Sequence, residues 1–390
     1  MPLKTPKVAL LIETSRGYGR NLLRGVARYA KHHGPWDFYI TPGDFAQTLP
    51  LMQQWGGDGI IARLETPAIA REICAAKIPT IILDASQNIP LDIPGLSDLS
   101  EVASDSDAAS RMAAEHLLDR GHTQFAYVGE FGRIWSTKRQ AGFLSALEER
   151  GYEAHIYEPP RAKSKRGWEQ EQSVLAEWLA ELPKPIGIMA CNDDRGRQVL
   201  DACRSAGVRV PLEAAVVGVD NDELLCELAM PPMSSVALNA DAGGYRAAAL
   251  LDDLMNGRQT EPQQVIVEPV GVIERRSTQA TAQYDPDVAA AILFIHDHAA
   301  QGIGVDDVVN HVRLARRTLE IRFREVVGRS PYHELQRVRV ERARRLLMET
   351  DMPIPRVAAA AGFSSNAYLS QVFQKWVGTT PSRFRREHRT

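Results

Sequence analysis

Six short runs of almost unbroken apolar residues punctuate the first 220 positions: Val8–Ile12, Gly59–Ala62, Thr80–Leu83, Phe125–Val128, Ile186–Ala190 and Ala215–Val219. A strand with one face in water alternates apolar and polar residues. Runs without that alternation read instead as strands buried on both faces of a sheet. Between them, helical periodicity covers Asn21–Lys31, Asp107–Arg120, Thr137–Arg150, Gln172–Glu181 and Arg195–Ala206. Repeated strand–helix alternation predicts an α/β fold of doubly wound parallel sheets, in which ligands bind beyond the carboxyl ends of the strands.

The polar residues after those strands are therefore the informative ones. Glu13, Thr14, Ser15 and Arg16 follow the first, Arg63 the second and Asp84-Ala85-Ser86 the third. Asn192-Asp193-Asp194 follows the fifth, and Asp220-Asn221-Asp222 the sixth. Carboxylates and amides converging on a crevice can accept paired hydrogen bonds from vicinal hydroxyls, which suits a sugar or polyol. Trp135, in the expected loop after Phe125–Val128, could supply an apolar platform for a sugar ring. Any one of these Asp or Asn residues could equally cap the next helix; as a set they favour a site.

Length and composition bound the rest. A chain of 390 residues is too long for one hydrophobic core, so two or three domains are expected. Hydrophobic residues at 44% and charged residues at 24% belong to a globular protein. No apolar run approaches the ~20 residues that span a bilayer, and Met1–Lys7 lacks a secretory apolar region, so no membrane partner and a cytoplasmic location are expected. Cys74, Cys191, Cys203 and Cys226 are scattered, without the spacing of a disulfide framework or a zinc site. They read as reduced and mostly buried.

Charge divides the chain. Residues 285–390 carry 17 basic against 12 acidic residues, whereas residues 1–284 carry 29 against 37. One end is thus suited to meet a polyanion. The change follows a small, polar segment, Ser277–Gln283, and a linker is expected over 277–286. Beyond it the pattern is helical and arginine-rich.

Two helix-turn-helix units are predicted there, at about 305–327 and 354–377. In the first, Val305–Leu314 is followed by a tight break and a second helix, Arg316–Val327. Leu319, Phe323 and Val327 form its buried stripe, which leaves Arg316, Arg317 and Glu320 on the open face. In the second unit, Ile354–Ala361 leads through Gly362-Phe363-Ser364-Ser365 into Asn366–Val377. Asn366, Ser370 and Gln371 lie on that helix's open face and can hydrogen-bond base edges. The connecting helix, Leu335–Met348, carries Arg337, Arg339, Arg342, Arg344 and Arg345, about half of which are expected on phosphates.

Two resemblances attach to these segments. Asp107–Gly121, Arg139–Gly151, Pro185–Asp222, Pro232–Gly257 and Glu274–Thr278 look, in order, like the effector-binding core of LacI-type regulators. The resemblance implies a two-lobed periplasmic-binding-protein-like domain over 1–276 and places effector contacts at Arg139, Asn192, Asp193 and Asp220. Glu13, Arg16 and Asp84 join the candidates by strand position, and Trp135 by its loop. LacI-type regulators begin with a small helix-turn-helix, whereas this sequence opens on the first strand, so the reader is expected elsewhere.

The tail, 287–390, is similar to the AraC/XylS-type DNA-binding domain. Its signature runs through Arg342-Ala343, Leu346-Leu347, Ile354, Val357-Ala358, Gly362-Phe363, Tyr368, Phe373, Gly378, Pro381 and Phe384-Arg385. Leu369 stands where that family usually has Phe. Tyr368 joins Arg316, Arg317, Glu320, Asn366, Ser370 and Gln371 as a candidate DNA contact.

A LacI-like sensor joined to an AraC-like reader resembles the xylose operon regulators along the full length. That implies a sugar-responsive, DNA-binding transcription regulator, an activator working as a homodimer with RNA polymerase. Double-stranded DNA and a pentose, xylose first, are the expected partners, with no cofactor, no metal and no enzymatic activity. Two alternatives stand beside it: a repressor answering another sugar or polyol, and a DNA-repair methyltransferase fused to an AraC-like domain. The second would need a metal-liganded Cys cluster, which the scattered cysteines do not offer. Gly17-Tyr18-Gly19 lacks the third glycine of a dinucleotide loop and reads as a flexible loop near the effector. His32-His33 and His296-x-His298 lack further metal ligands at suitable spacing.

Overall fold

A computed structural model describes residues 5–40, 56–84, 89–90, 92–158, 168–279, 285–327 and 329–388. The chain divides into two compact units, Met1–Ala282 and Gln283–Thr390.

The first unit holds two six-stranded sheets. The first sheet is built from β1 (Lys7–Leu11), β2 (Asp37–Ile40), β3 (Gly59–Arg63), β4 (Thr80–Leu83), β5 (Ser100–Ser104) and β11 (Gln264–Val267). Its order is β11-β5-β4-β3-β1-β2, all parallel. The second contains β6 (Phe125–Val128), β7 (Ala154–Tyr157), β8 (Ile186–Ala190), β9 (Ala214–Asp220), β10 (Ser234–Leu238) and β12 (Pro269–Ile273). Its order is β12-β10-β9-β8-β6-β7, with only the edge strand β12 antiparallel. Alternate residues of each central strand enter different cores: Val8 and Leu10 on one face of β1, Ala9 and Leu11 on the other. Apolar side chains on both faces explain why these runs do not alternate.

Helices α1 (Gly17–His33), α2 (Pro67–Ala76) and α8 (Ala240–Met255) cover the first lobe. The second carries α3 (Ser106–Leu118), α4 (Ile134–Glu148), α5 (Trp168–Glu181), α6 (Asp193–Ser205) and α7 (Glu223–Leu228). Helices α1 and α8 approach closely: a Cβ on Gly25 would fall 2.0 Å from the Asp241 carbonyl oxygen, and one on Gly244 2.0 Å from that of Leu22. The chain crosses between lobes at Asp105, Asn239 and Glu268, and these segments lie side by side. Asp105 N donates to Val267 O and Asn239 N to Glu268 O, both at 2.9 Å.

The linker expected over 277–286 is shorter at both ends. Ser277 and Thr278 are fully buried in a 3-10 turn on the second lobe, where Ser277 Oγ donates to Val216 O. Asp285 and Pro286 instead open the next helix, with the Asp285 carboxylate accepting from Asp287 N. Residues 280–284 lie outside the described residues, as do Ala85 and Ser86.

The second unit is all helical: α9 (Pro286–His298), α10 (Val305–Val312), α11 (Arg316–Val327), α12 (Pro331–Glu349), α13 (Ile354–Ala360), α14 (Asn366–Val377) and α15 (Pro381–His388). It has two cores joined by α12. Val308, Leu319, Phe323 and Leu335 fill the first with residues of α9; Val340, Ala343, Leu347, Leu369 and Phe373 fill the second. Gly362 turns the chain between α13 and α14 at φ +83°, and a Cβ there would lie 1.9 Å from the Ala299 carbonyl oxygen. Only glycine meets both conditions. Ser365 caps α14 by accepting from Tyr368 N. No helix among the described residues is long and apolar enough to cross a membrane.

Candidate functional site

Between the two lobes of the first unit, a cleft opens at the carboxyl ends of the strands. The first lobe lines it with Glu13, Arg16, Tyr18, Arg63, Glu65 and Asp84; the second adds Arg133, Trp135, Arg139, Asn192 and Asp220. Four carboxylates face four guanidinium groups, so the lining is formally neutral. Arg63 Nε lies 2.9 Å from Glu13 and its Nη1 3.7 Å from Asp84. Arg139 Nη2 lies 3.1 Å from Asp220, and Arg133 2.7 Å from Glu65. Each lobe also stacks an arginine on an aromatic ring: Arg63 over Tyr18 at 6.0 Å and Arg139 over Trp135 at 5.1 Å.

Burial raises the Asp84 and Asp220 carboxyls above their ordinary range, and the nearby arginines pull them back only in part. The Tyr18 phenol is pushed well up, by burial first and by Asp84 next. Two buried polar atoms on the lining, Tyr18 Oη and Arg139 Nε, have no hydrogen-bond partner. Buried polar atoms are rarely left so, and such orphans point to a ligand that supplies the partner. Asp220 itself is held at φ +104°, an unfavourable conformation for a side-chain-bearing residue of the kind that concentrates at ligand sites. The free volume within the cleft is about 30 Å³, room for about two waters. A sugar ring therefore enters only as the lobes part or as ion-paired side chains turn toward it.

Cross-lobe contacts hold the cleft in this state. The Asp222 carboxylate, in the second lobe, accepts from Gly17 N at 2.7 Å and from Arg20 Nη2 at 2.8 and 2.9 Å. Arg16 pairs with Asp194 at 3.1 Å. A Cβ on Gly17 would fall 2.8 Å from that of Asp222, so the glycine permits the approach.

The cleft brings together Glu13, Arg16, Asp84, Trp135, Arg139, Asn192 and Asp220. Asn192 also caps α6, accepting from Arg195 N at 2.9 Å, so cap and lining coexist in one side chain. Trp135 lies in the first turn of α4, not in a loop. Asp193 is the exception. It does not line the cleft; its buried carboxylate accepts from Ser235 Oγ and Asp222 N, both at 2.6 Å, and thereby positions the Asp222 turn. Thr14 and Ser15 contribute carbonyl oxygens to Arg20. Sequence reasoning missed Tyr18, Glu65 and Arg133. Tyr18 carried a signal, since the Gly17-Tyr18-Gly19 segment follows the first strand; it opens α1 and is not a loop.

In the helical unit, α10–α11 and α13–α14 form the two expected helix-turn-helix pairs. Arg317, Asn366 and Gln371 are exposed, and Ser370 is half-buried. Arg316 is engaged by Asp306 at 2.9 Å and Glu320 at 3.1 Å. Tyr368 is drawn inward: its hydroxyl meets Tyr332 Oη at 2.9 Å and accepts from Gln336 Nε2 at 3.3 Å. Fewer α12 arginines are available for phosphate than expected. Arg339 is buried and donates to Ala299 O and Ile303 O. Arg337 pairs with Glu334, Arg342 donates to Ala360 O and Arg344 pairs with Glu341, whereas Arg345 is exposed. Burial pushes the Glu334 carboxyl up, but hydrogen bonds from His296 and Arg337 hold it well below its usual range. No cluster of three or more metal-ligating side chains occurs among the described residues.

A hinged, two-lobed sensor and a double helix-turn-helix unit together define a sugar-responsive, DNA-binding transcription regulator. Family models match in three places: an XylR N-terminal domain over residues 7–106, a periplasmic binding protein-like domain over 114–278 and a helix-turn-helix domain over 308–387. The xylose operon regulatory protein of Escherichia coli (strain K12) is 33% identical over 386 residues, 98% of this chain and 97% of its own length. That of Haemophilus influenzae is 32% identical over 97% of this chain and 98% of its own. A solved xylose-binding transcription activator, xylR, superposes with a TM-score of 0.80 at 32% identity, covering 100% of both chains. The chain belongs to the family of xylose operon regulatory proteins. These relatives are transcription regulators, not enzymes, which sets aside the methyltransferase alternative.

Proposed function

We propose that this chain is a cytoplasmic activator of xylose catabolic genes, with D-xylose as the effector held between the two lobes. The observation that carries the proposal is the neutral cleft whose orphaned Tyr18 Oη and Arg139 Nε await a hydroxylated partner. A neutral lining of alternating donors and acceptors favours a neutral polyol over a uronate or a sugar phosphate, whose charge would be left unbalanced. Glu13, Asp84, Asn192 and Asp220 supply acceptors, Arg16, Arg63 and Arg139 donors, and Trp135 an apolar edge. Asp193 acts behind them by fixing the Asp222 turn. The names of the full-length relatives supply xylose and the activating sign.

Residues 287–390 read DNA through Arg317 on α11 and Asn366, Ser370 and Gln371 on α14. Arg316, Glu320 and Tyr368 position those helices. The active form is a homodimer that recruits RNA polymerase. The edge strand β12, which exposes Val270 and Ile273, and the exposed Leu224, Leu228 and Met230 around α7 support a self-interface. A thermal-shift screen against pentoses, hexoses, uronates and sugar phosphates tests the effector. Xylose should raise the melting temperature of the sensor unit, and Asp220→Ala should abolish the shift. Stabilisation by a charged sugar and none by a neutral one would refute the assignment.

A further inference from the structure

The two cores of the helical unit share no residue: α12 sends Leu335 into the first and Val340, Ala343 and Leu347 into the second. Between Leu335 and Val340 stands Arg339, 6% exposed. Its guanidinium reaches the turn that follows α9, where Nε donates to Ala299 O at 3.0 Å and Nη2 to Ile303 O at 2.7 Å. A buried charge set against neutral carbonyls is a costly way to gain stability, and an apolar side chain of similar volume often serves as well. What a guanidinium adds is direction, since its rigid fork fixes two acceptors at once. The same Ala299 carbonyl is met by the turn between α13 and α14, where the missing Cβ of Gly362 allows the contact. One peptide group thus serves both halves. It leads through Gly302, at φ +78°, into α10 and the first helix-turn-helix, and it seats the turn of the second. A separate tie, Tyr332 Oη to Tyr368 Oη at 2.9 Å, joins the first turn of α12 to α14.

Resting on the reading of α11 and α14 as the base-reading helices, we propose that Arg339 is a positioning residue for site selection. By clamping the Ala299–Ile303 turn it fixes the register between α11 and α14, and so sets the spacing of the two half-elements that one chain accepts. Two reading helices that enter successive major grooves stand about 34 Å apart. One extra base pair moves the second half-element by about 3.4 Å and turns it by about 34° around the duplex. A rigid pair of reading helices follows neither change. Halves that hinge about α12, once the clamp is gone, follow both in part.

Competition binding of the full chain, with xylose present, tests this on duplexes from upstream of xylose catabolic genes. Their two half-elements, located by footprinting, are kept at the natural spacing or shifted by one inserted or one deleted base pair. For the parent, either shift should cost about 30-fold in affinity; for Arg339→Met it should cost about threefold, with natural-site affinity reduced by about three- to tenfold. Arg339→Lys, which keeps the charge but replaces the fork by a single ammonium, should lie between. A merely structural contribution lowers affinity for all three duplexes alike and leaves the spacing ratio at the parent's value. That result overturns the proposal, as does a parent indifferent to spacing. Where circular dichroism shows that Arg339→Met does not fold, the ratio for Arg339→Lys decides. Absence of any sequence preference in the parent overturns the reading of α11 and α14 as well.

Discussion

Asp222→Ala removes the cross-lobe latch without touching the cleft lining. The Asp222 carboxylate is 4% exposed and accepts Gly17 N–H at 2.7 Å and Arg20 at 2.8 Å. A hydrogen bond to a buried charge contributes about 1.5–3 kcal/mol, and the ion pair with Arg20, whose side chain is about a third exposed, adds about 0–1 kcal/mol. Taking about 2 kcal/mol for the latch, its loss moves the open–closed equilibrium about 30-fold toward open, at about 1.4 kcal/mol per factor of ten. The Asp222 backbone N–H still reaches Asp193 in the variant, so the turn itself persists. If the effector selects the closed lobes, its affinity falls by at most that factor, and by about threefold if the parent is closed ten times out of eleven. Calorimetry with xylose measures the fall, and Arg20→Ala should reproduce only its smaller part. Unchanged affinity would refute the latch; increased affinity would mean that the latched state excludes the effector.

Three further outcomes follow from the same geometry. Gly362→Ala forces a left-handed backbone and a Cβ onto Ala299 O, so it should destabilise the helical unit by at least about 2 kcal/mol; DNA binding should be lost while xylose still gives heat in calorimetry. Arg317→Ala or Gln371→Ala should relax base preference at one position by about 1–3 kcal/mol in competition binding with substituted duplexes, and a uniform loss across sequences would reassign the residue to phosphate. His122 is buried, and burial, with Arg120 second, lowers its pKa to about 4. Its neutral form is favoured by folding, so the stability it contributes is complete above the unfolded value near 6.5 and is lost as pH falls toward 4, by up to about 3 kcal/mol. Urea unfolding of the parent at pH 7.5 and pH 5 should show that loss, and His122→Gln should reduce it, leaving the part that belongs to His116, whose pKa burial lowers to about 3.

Much of this architecture was legible because the central strands are apolar on both faces. Phe125–Val128 and Ile186–Ala190 were placed to the residue. Six strands escaped: the edge strands β2, β7, β11 and β12, and, beside two of them, β5 with its Ser-Glu-Val-Ala-Ser sequence and β10 with Ser-Ser-Val-Ala-Leu, whose polar residues break the apolar run. The cleft was legible where a strand end delivers its residue directly, as at Glu13, Asp84 and Asp220. It was not legible where the other lobe decides the outcome. Asp193 and Asp222 look alike in sequence, yet one is turned inward by Ser235 and the other is drawn across the cleft to Gly17. Tyr18, Glu65 and Arg133 are gathered from separate segments, and no local pattern announces their meeting. In the helical unit the signature marked Tyr368, but Tyr332, 36 residues earlier in the chain, is what claims its hydroxyl.

The most direct measurement is the affinity of the full chain for duplex DNA from upstream of xylose catabolic genes, taken by fluorescence anisotropy with and without xylose across a salt series. The account predicts sequence-specific binding that weakens steeply with salt and strengthens at least tenfold when xylose is present, a gain that Asp220→Ala abolishes. Equal affinity with and without xylose, in a chain that binds the sugar, would contradict it.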